Sequence, residues 1–156
     1  MQLPPDFGEV LTRLCAAALI GAVIGVDREV RGKPAGLRTH ALVSLGAALV
    51  VLVVGRVAPL GFEHIDAVSR VIQGIIAGVG FLGGGAILKS SGANEQESVH
   101  GLTTAASIWL VAALGIASGA GQWLAALIGV ALALLILIGG FTAERRARRI
   151  LGKHEP

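Results

Sequence analysis

The sequence predicts an all-α integral membrane protein, a bundle of five transmembrane helices. Two observations carry that expectation. Of 156 residues, 54% are hydrophobic and only 15% charged, a balance that a water-soluble core of this size does not need. The apolar residues are also gathered into long runs free of Asp, Glu, Lys and Arg: Leu14 to Val26, Thr39 to Gly55, Val71 to Leu88 and Gly101 to Ala143. The last run would extend about 65 Å as one helix, roughly twice a hydrocarbon core of ~30 Å, so it must fold back once. Lipid offers no partner to backbone N–H and C=O groups, and the runs lack the alternating rhythm of a barrel strand, so each span is read as a helix.

The first span is expected near residues 8–26. The ten residues that open the sequence carry Asp6 and Glu9 and no Lys or Arg, unlike the basic start of a secretory signal peptide, so this span is expected to stay in the mature protein. A polar turn follows, in which Pro34 and Gly36 lead into a second span near 38–56 with Thr39 close to its cap. The third span is expected near 70–88. The Gly- and Ser-rich stretch Gly115 to Gln122 divides the longest run into a fourth span near 101–117 and a fifth near 122–141. Residues 1–144 then form the transmembrane domain, and 145–156 a short basic cytoplasmic tail.

Lys and Arg are retained on the cytoplasmic side during insertion, so their distribution sets the orientation. With the amino terminus outside, the inner segments hold Arg28, Arg31, Lys33, Arg38, Lys89, Arg145, Arg146, Arg148, Arg149 and Lys153, and the outer ends hold Arg13, Arg56 and Arg70. Ten against three favours that topology. It places the chain in a bacterial inner membrane with its carboxyl end in the cytoplasm, where Arg145 to Arg149 meet anionic headgroups. The same basic run lacks the aromatic platforms of a nucleic-acid reader, and no nucleic-acid partner is expected.

Other chemistries find little support. Cys15 is the single cysteine and sits in the first apolar run, as a packing residue. His40, His64, His100 and His154 are scattered, with no zinc spacing, so no metal site and no cofactor are expected. Gly78-Val79-Gly80-Phe81-Leu82-Gly83 matches a dinucleotide-binding fingerprint, but that pattern has meaning only after a strand, and here it lies within an apolar helix. Gly83-Gly84-Gly85 before Lys89-Ser90 fails as a phosphate-binding loop because Leu88 stands where glycine is required. No nucleophile, base and orienting group fall at interpretable spacing, so the chain is not expected to be an enzyme.

Glycine is the informative residue of the spans. Small-residue pairs four apart occur at Gly21/Gly25, Gly74/Gly78, Gly80/Gly84 and Gly115/Gly119, and such pairs let helix backbones approach closely in lipid. Packing roles are assigned to Gly21, Gly25, Gly74, Gly78, Gly80, Gly84 and Gly101. They seal the bundle, and a share of them is open to a dimer interface or a narrow polar path. On a helical projection Arg13, Ala17, Gly21 and Arg28 share a face of the first helix, Gln73, Ala77, Gly80 and Gly84 share one of the third, and Thr103 and Ser107 repeat the theme on the fourth. Polar groups at membrane depth point inward, so these faces are expected to converge.

The densest polar stretch runs from Asp27 to His40. Two readings stand for it: Asp27 and Glu29 hold a hydrated cation such as Mg²⁺, or they pair with Arg28, Arg31, Lys33 and Arg38 in an ion-pair network.

Four ordered motifs then carry a specific resemblance: Gly-Val-Asp-Arg-Glu at 25–29, Lys-Pro-Ala-Gly-Leu-Arg-Thr-His at 33–40, Gly-Val-Gly-Phe-Leu-Gly-Gly-Gly-Ala-Ile-Leu at 78–88 and Gly-Leu-Thr-Thr-Ala-Ala-Ser-Ile-Trp at 101–109. Over about residues 10–140 the chain resembles the MgtC/SapB family. The resemblance implies a bacterial inner-membrane protein associated with growth at low magnesium and, in pathogens, with survival inside host cells. In the best-studied branch it implies a regulator of other membrane machinery rather than a magnesium pump. The family signature falls on Arg28, Glu29, Lys33, Pro34, Gly36, Leu37, Arg38, Thr39, Gln73, Gly74, Phe81, Gly83, Gly85, Gly101, Leu102, Thr103, Thr104 and Trp109. Trp109 lies mid-span, so its indole N–H is expected to find a partner inside the bundle. The stretch from Gly92 to His100 departs from the family's short basic link, being longer and acidic at Glu95 and Glu97. Many relatives continue into a soluble ferredoxin-like domain that lies outside these 156 residues.

Two functional expectations follow. In the first, a membrane regulator or scaffold binds other membrane proteins in support of magnesium or phosphate homeostasis under stress. In the second, a homo-oligomer, most simply a dimer, conducts or carries Mg²⁺ or another small ion along a path lined by Gln73, Thr103 and the Asp27 to Glu29 cluster. The functional polar set common to both is Asp27, Arg28, Glu29, Lys33, Arg38, Thr39, His40, Gln73, Thr103, Thr104 and Trp109.

Overall fold

A computed structural model describes residues 6–58, 61–88 and 101–151. Five helices account for them: α1 Phe7–Val30, α2 Leu37–Val57, α3 Phe62–Leu88, α4 Leu102–Gly119 and α5 Trp123–Leu151. All five are long and apolar enough to cross a membrane. The expected five-span, all-α bundle is what forms.

Two helices outrun their apolar spans. α3 begins eight residues before the expected start, because Glu63, His64, Asp66 and Arg70 are too polar for the span yet compatible with helix at its end, where Arg70 pairs with Asp66 one turn away at 2.9 Å. α5 continues through the basic segment to Leu151 instead of ending near 141. Each is roughly 40 Å long, more than a ~30 Å hydrocarbon core requires.

α4 is the centre of the bundle. It touches all four other helices, and half of its apolar window is buried inside the chain, against 6% for α3 and 11% for α5. α1, α2 and α4 pack as an inner triad, with α3 against α4 and α2 and α5 against α4 and α1. The expected α1 face is present: Ala17, Gly21, Ile24, Gly25 and Arg28 are buried and Arg13 is partly so.

Glycine sets the spacing of that triad. A methyl group on Gly21 would collide with the backbone of His40 and Ala41, on Gly25 with Leu37 Cα at 2.6 Å, on Gly115 with the Ser44 carbonyl, and on Gly119 with the Ala48 carbonyl. Helix backbones in contact at four levels are what small-residue pairs permit in lipid. Gly101 also belongs to the packing, with a methyl placed 2.7 Å from Ala86 O, and its φ of +89° suits glycine alone.

Gly74, Gly78, Gly80 and Gly84 do not pack within the chain, contrary to expectation. Nothing lies within 4 Å of a methyl group built on any of them. α3 docks through its opposite face, where Val79 is buried among Ala47, Ile108 and Ala112 and a methyl group on Gly83 would meet Ala105 Cβ at 3.4 Å. The face bearing Gln73, Gly74, Ala77, Gly78, Gly80, Phe81 and Gly84 is exposed.

Candidate functional site

The polar residues divide into two groups at opposite ends of the inner triad, one buried and one partly exposed. At the first end, α1 closes on Arg31, and Gly32 at φ +63° turns the chain so that Gly32 N–H donates to Glu29 O at 2.9 Å and Lys33 N–H to Arg28 O at 3.0 Å. Pro34 and Ala35 carry the chain to Gly36, the N-cap of α2. Thr39, the third residue of α2, lies close to the cap and is exposed. Glu29 supplies the cap from the preceding helix, its Oε2 accepting from Leu37 N–H at 2.9 Å.

Below this turn lies a chain of hydrogen bonds linking all three inner helices. Arg28, only 3% exposed, donates through Nη2 to Thr104 Oγ1 on α4 at 3.1 Å. Ser107 Oγ donates to Thr104 O at 2.8 Å and lies 3.0 Å from His40 Nε2. His40 Nδ1 faces Gly36 O at 2.9 Å, and because a carbonyl only accepts, Nδ1 carries a hydrogen. Ser107 thus bridges the Thr104 carbonyl and the His40 ring. One turn deeper, the fully buried Ser44 Oγ has no partner among the described residues.

Asp27 Oδ1 accepts from Arg31 Nε at 2.7 Å, while its Oδ2 is buried without a partner among the described residues. Of the two readings for the acidic pair, these contacts use Asp27 in an ion pair and Glu29 as a helix cap. No cluster of three or more His, Cys, Asp or Glu side chains gathers among the described residues. Lys33 and Arg38 are exposed on the same turn.

The other end holds a group that composition and motif gave little reason to seek. Arg13 Nη1 donates to Gly119 O at 2.8 Å, Ser118 Oγ donates to Arg13 O at 3.0 Å, and Arg13 also pairs with Glu9. Arg56 pairs with Asp6. The cation of α1 thus satisfies the Gly119 carbonyl at the end of α4. Its one sequence signal is a charge inside the first helix on the same face as Ala17 and Gly21. Ala17, Ala48, Val111 and Ala112, each 0% exposed, close the space between the two groups.

Of the eleven residues named from sequence, Arg28, His40 and Thr104 are brought together inside the triad, with Asp27 and Glu29 engaged at its edge. Lys33, Arg38 and Thr39 are exposed at the same end, and three more do not join the buried set. Gln73 is exposed on α3, with Ser69 Oγ at 3.5 Å. Thr103 is exposed on α4, one residue around from buried Thr104. Trp109 is 46% exposed on the outer side of α4 with Leu102 and Ala106, so its ring faces away from the bundle's interior. α4 buries Thr104, Ser107, Ile108 and Val111 at helical spacing, and that leaves no inward register for residue 109. Lys89, the 92–100 stretch and Lys153 lie outside the described residues.

The turn between Arg28 and His40 and the contact of Arg28 with Thr104 draw on three of the four motifs quoted above, and residues 14–146 match the MgtC family. This chain belongs to the MgtC family. Among curated relatives, it is 50% identical over 107 residues to SrpB of Synechococcus elongatus, covering 66% of this chain and 59% of SrpB. It is 39% identical over 132 residues to Escherichia coli K12 YhiD, whose name offers it as a candidate magnesium transporter, covering 83% of this chain and 59% of YhiD. Identity to Salmonella typhimurium MgtC is 41% over 106 residues, 68% of this chain and 41% of that protein. The chain therefore spans about half the length of the curated relatives it matches. No solved structure matches it.

Proposed function

We propose that this MgtC-family protein is a non-enzymatic regulator or scaffold of the bacterial inner membrane, linked to magnesium homeostasis, that acts through contacts with other membrane proteins. Its amino end faces outward and its carboxyl end the cytoplasm, following the ten-to-three distribution of Lys and Arg. The observation that carries this reading is the closure of α1, α2 and α4. Their backbones touch at Gly21, Gly25, Gly115 and Gly119, and Ala17, Ala48, Val111 and Ala112 fill the space between the polar ends. An ion crossing one copy would have to part helices that lack even the room for a methyl group. The His40–Ser107 pair has the form of a base beside a hydroxyl, but both groups are buried in the triad, where no substrate reaches them.

The exposed face of α3 supports a second copy as the first partner. A lipid-facing helix is ordinarily covered in large aliphatic side chains, as α5 is with Leu124, Leu127, Leu132, Leu135 and Ile136. α3 instead presents glycines, each about 1 kcal/mol worse than alanine in a helix, around a Phe81 that is 85% exposed. A ring beside shallow hollows on one face is self-complementary, as a two-fold interface needs. Transport along that interface is the second reading, favoured by the exposed Gln73 amide within the apolar span.

Reconstitution in liposomes with a Mg²⁺-flux readout separates the two. No flux above protein-free liposomes is expected. Flux that Gln73→Ala or Glu29→Ala abolishes would replace the regulator by the transporter.

A further inference from the structure

Of the acids next to the buried guanidinium of Arg28, Glu29 caps the first turn of α2 and Asp27 pairs through Oδ1 with Arg31, its Oδ2 left buried without a hydrogen-bond partner among the described residues. Arg28 has no ion pair among the described residues, and its buried Nε has no hydrogen-bond partner among them. A buried charge is ordinarily paired, because an uncompensated one loses its hydration and gains nothing in exchange.

A second observation concerns what lies beside it. The acceptor of Arg28 Nη2, Thr104, is the third residue of α4, and that helix starts at Gly101, which has no side chain of its own to cap it. The first N–H with a helical acceptor is that of Ala105, which donates to Gly101 O at 2.9 Å. A helix supplies no internal partner for the three N–H groups before it, those of Leu102, Thr103 and Thr104. The positive end of the α4 dipole and the Arg28 guanidinium thus meet at one place, where two like charges repel unless an anion joins them.

We propose that this junction binds an oxyanion of the phosphate class. The first-turn N–H groups of α4 and the Thr103 hydroxyl hold its oxygens. Thr104 Oγ1, already accepting from Arg28, has its own hydrogen left to donate. Arg28 supplies the compensating charge from within, and Lys33 and Arg38, exposed on the adjoining turn, draw the anion in. Exposed Thr103 and half-exposed Gly101 mark the way in. A guanidinium, three amide groups and two hydroxyls are more donors than the two oxygens of a carboxylate accept, and a phosphate group uses them. The junction lies at the end of membrane-spanning helices, so the group comes either from a free phosphate in solution or from the headgroup of an anionic phospholipid.

The test uses the full chain, ¹⁵N-labelled, in neutral detergent and in lipid discs. One arm titrates inorganic phosphate and follows the Thr103 and Thr104 amides. The other compares discs of phosphatidylglycerol with discs of phosphatidylcholine, by the same amides and by native mass spectrometry. A saturable shift with phosphate identifies the free anion. A shift confined to phosphatidylglycerol discs, with one lipid retained, identifies the headgroup. In the arm that responds, Arg28→Gln is expected to weaken binding about tenfold or more and Thr104→Val about threefold. Should Arg28→Gln fail to fold, the wild-type amides and Thr104→Val decide the matter. Amides unmoved in both arms, or affinity unchanged in the variants, overturns the proposal.

Discussion

Replacing Gly115 with alanine tests whether α2 and α4 touch backbone to backbone. A methyl group there would lie 2.9 Å from Ser44 C and Cα and nearer still to the carbonyl oxygen, where ordinary contact is 3.4–4 Å. None of these atoms belongs to a movable side chain, and Gly119 holds Ala48 in the same way one turn along. The helices must part, and the 3.0 Å contact between His40 and Ser107 parts with them. Overpacking costs about 1–3 kcal/mol, and a backbone obstacle belongs in the upper half of that range. Alanine's better helix propensity offsets about 1 kcal/mol, leaving a net loss of about 1–2 kcal/mol, a five- to thirtyfold change in the folded-to-unfolded ratio. Gly46, on the outer side of α2, is the control: nothing lies within 4 Å of a methyl there, so Gly46→Ala is expected to gain up to about 1 kcal/mol. Unfolding by titration with a denaturing detergent measures both, and the variants should straddle the wild type. Equal stability of Gly115→Ala and Gly46→Ala would refute the backbone contact.

The buried cation makes an opposite pair of outcomes. Thr104→Val strands Arg28 Nη2 and is expected to destabilise by about 1–3 kcal/mol, whereas Arg28→Met removes the charge while keeping the bulk and is expected to be neutral or stabilising in the same unfolding assay. A large loss from Arg28→Met would mean that the guanidinium is compensated within the chain. Glu29→Ala removes the acceptor of Leu37 N–H and should cost about 1 kcal/mol, with faster hydrogen exchange localised to the first turn of α2; unchanged exchange there counts against the cap. Gly78→Leu fills the open face of α3, so cross-linking in native membranes should fall from dimer to monomer while the unfolding of the monomer stays within about 0.5 kcal/mol of wild type. Undiminished dimer would move the interface away from α3.

Much of the fold was legible because lipid leaves the backbone few choices. An uncharged run long enough to cross a bilayer must be helix, and the Gly- and Ser-rich stretch after Gly115 had to be the reversal. Helix ends were less legible. The start of α3 and the end of α5 lie where charges break the apolar run without breaking the helix, as Asp66 and Arg70 do by pairing one turn apart. Within the site, the α1 face of Ala17, Gly21 and Arg28 followed from periodicity. Its partners did not: Thr103 and Thr104 are adjacent and chemically identical, and only the packing of α4 buries one and exposes the other. The pairing of Arg13 with the end of α4 joins residues more than a hundred positions apart, which no local pattern announces.

By itself the sequence determined the solvent in which this chain lives, the number of its crossings and the family to which it belongs, since each rests on composition and order along the chain. Tertiary structure alone decided which glycines touch a neighbour, which polar groups meet, and that Arg28 lies buried with no ion pair among the described residues. Two helices of identical small-residue spacing, α1 and α3, read alike in one dimension. They differ because α1 turns its glycines onto α2 while α3 turns them outward, and only the packing of each helix against its neighbours separates the two.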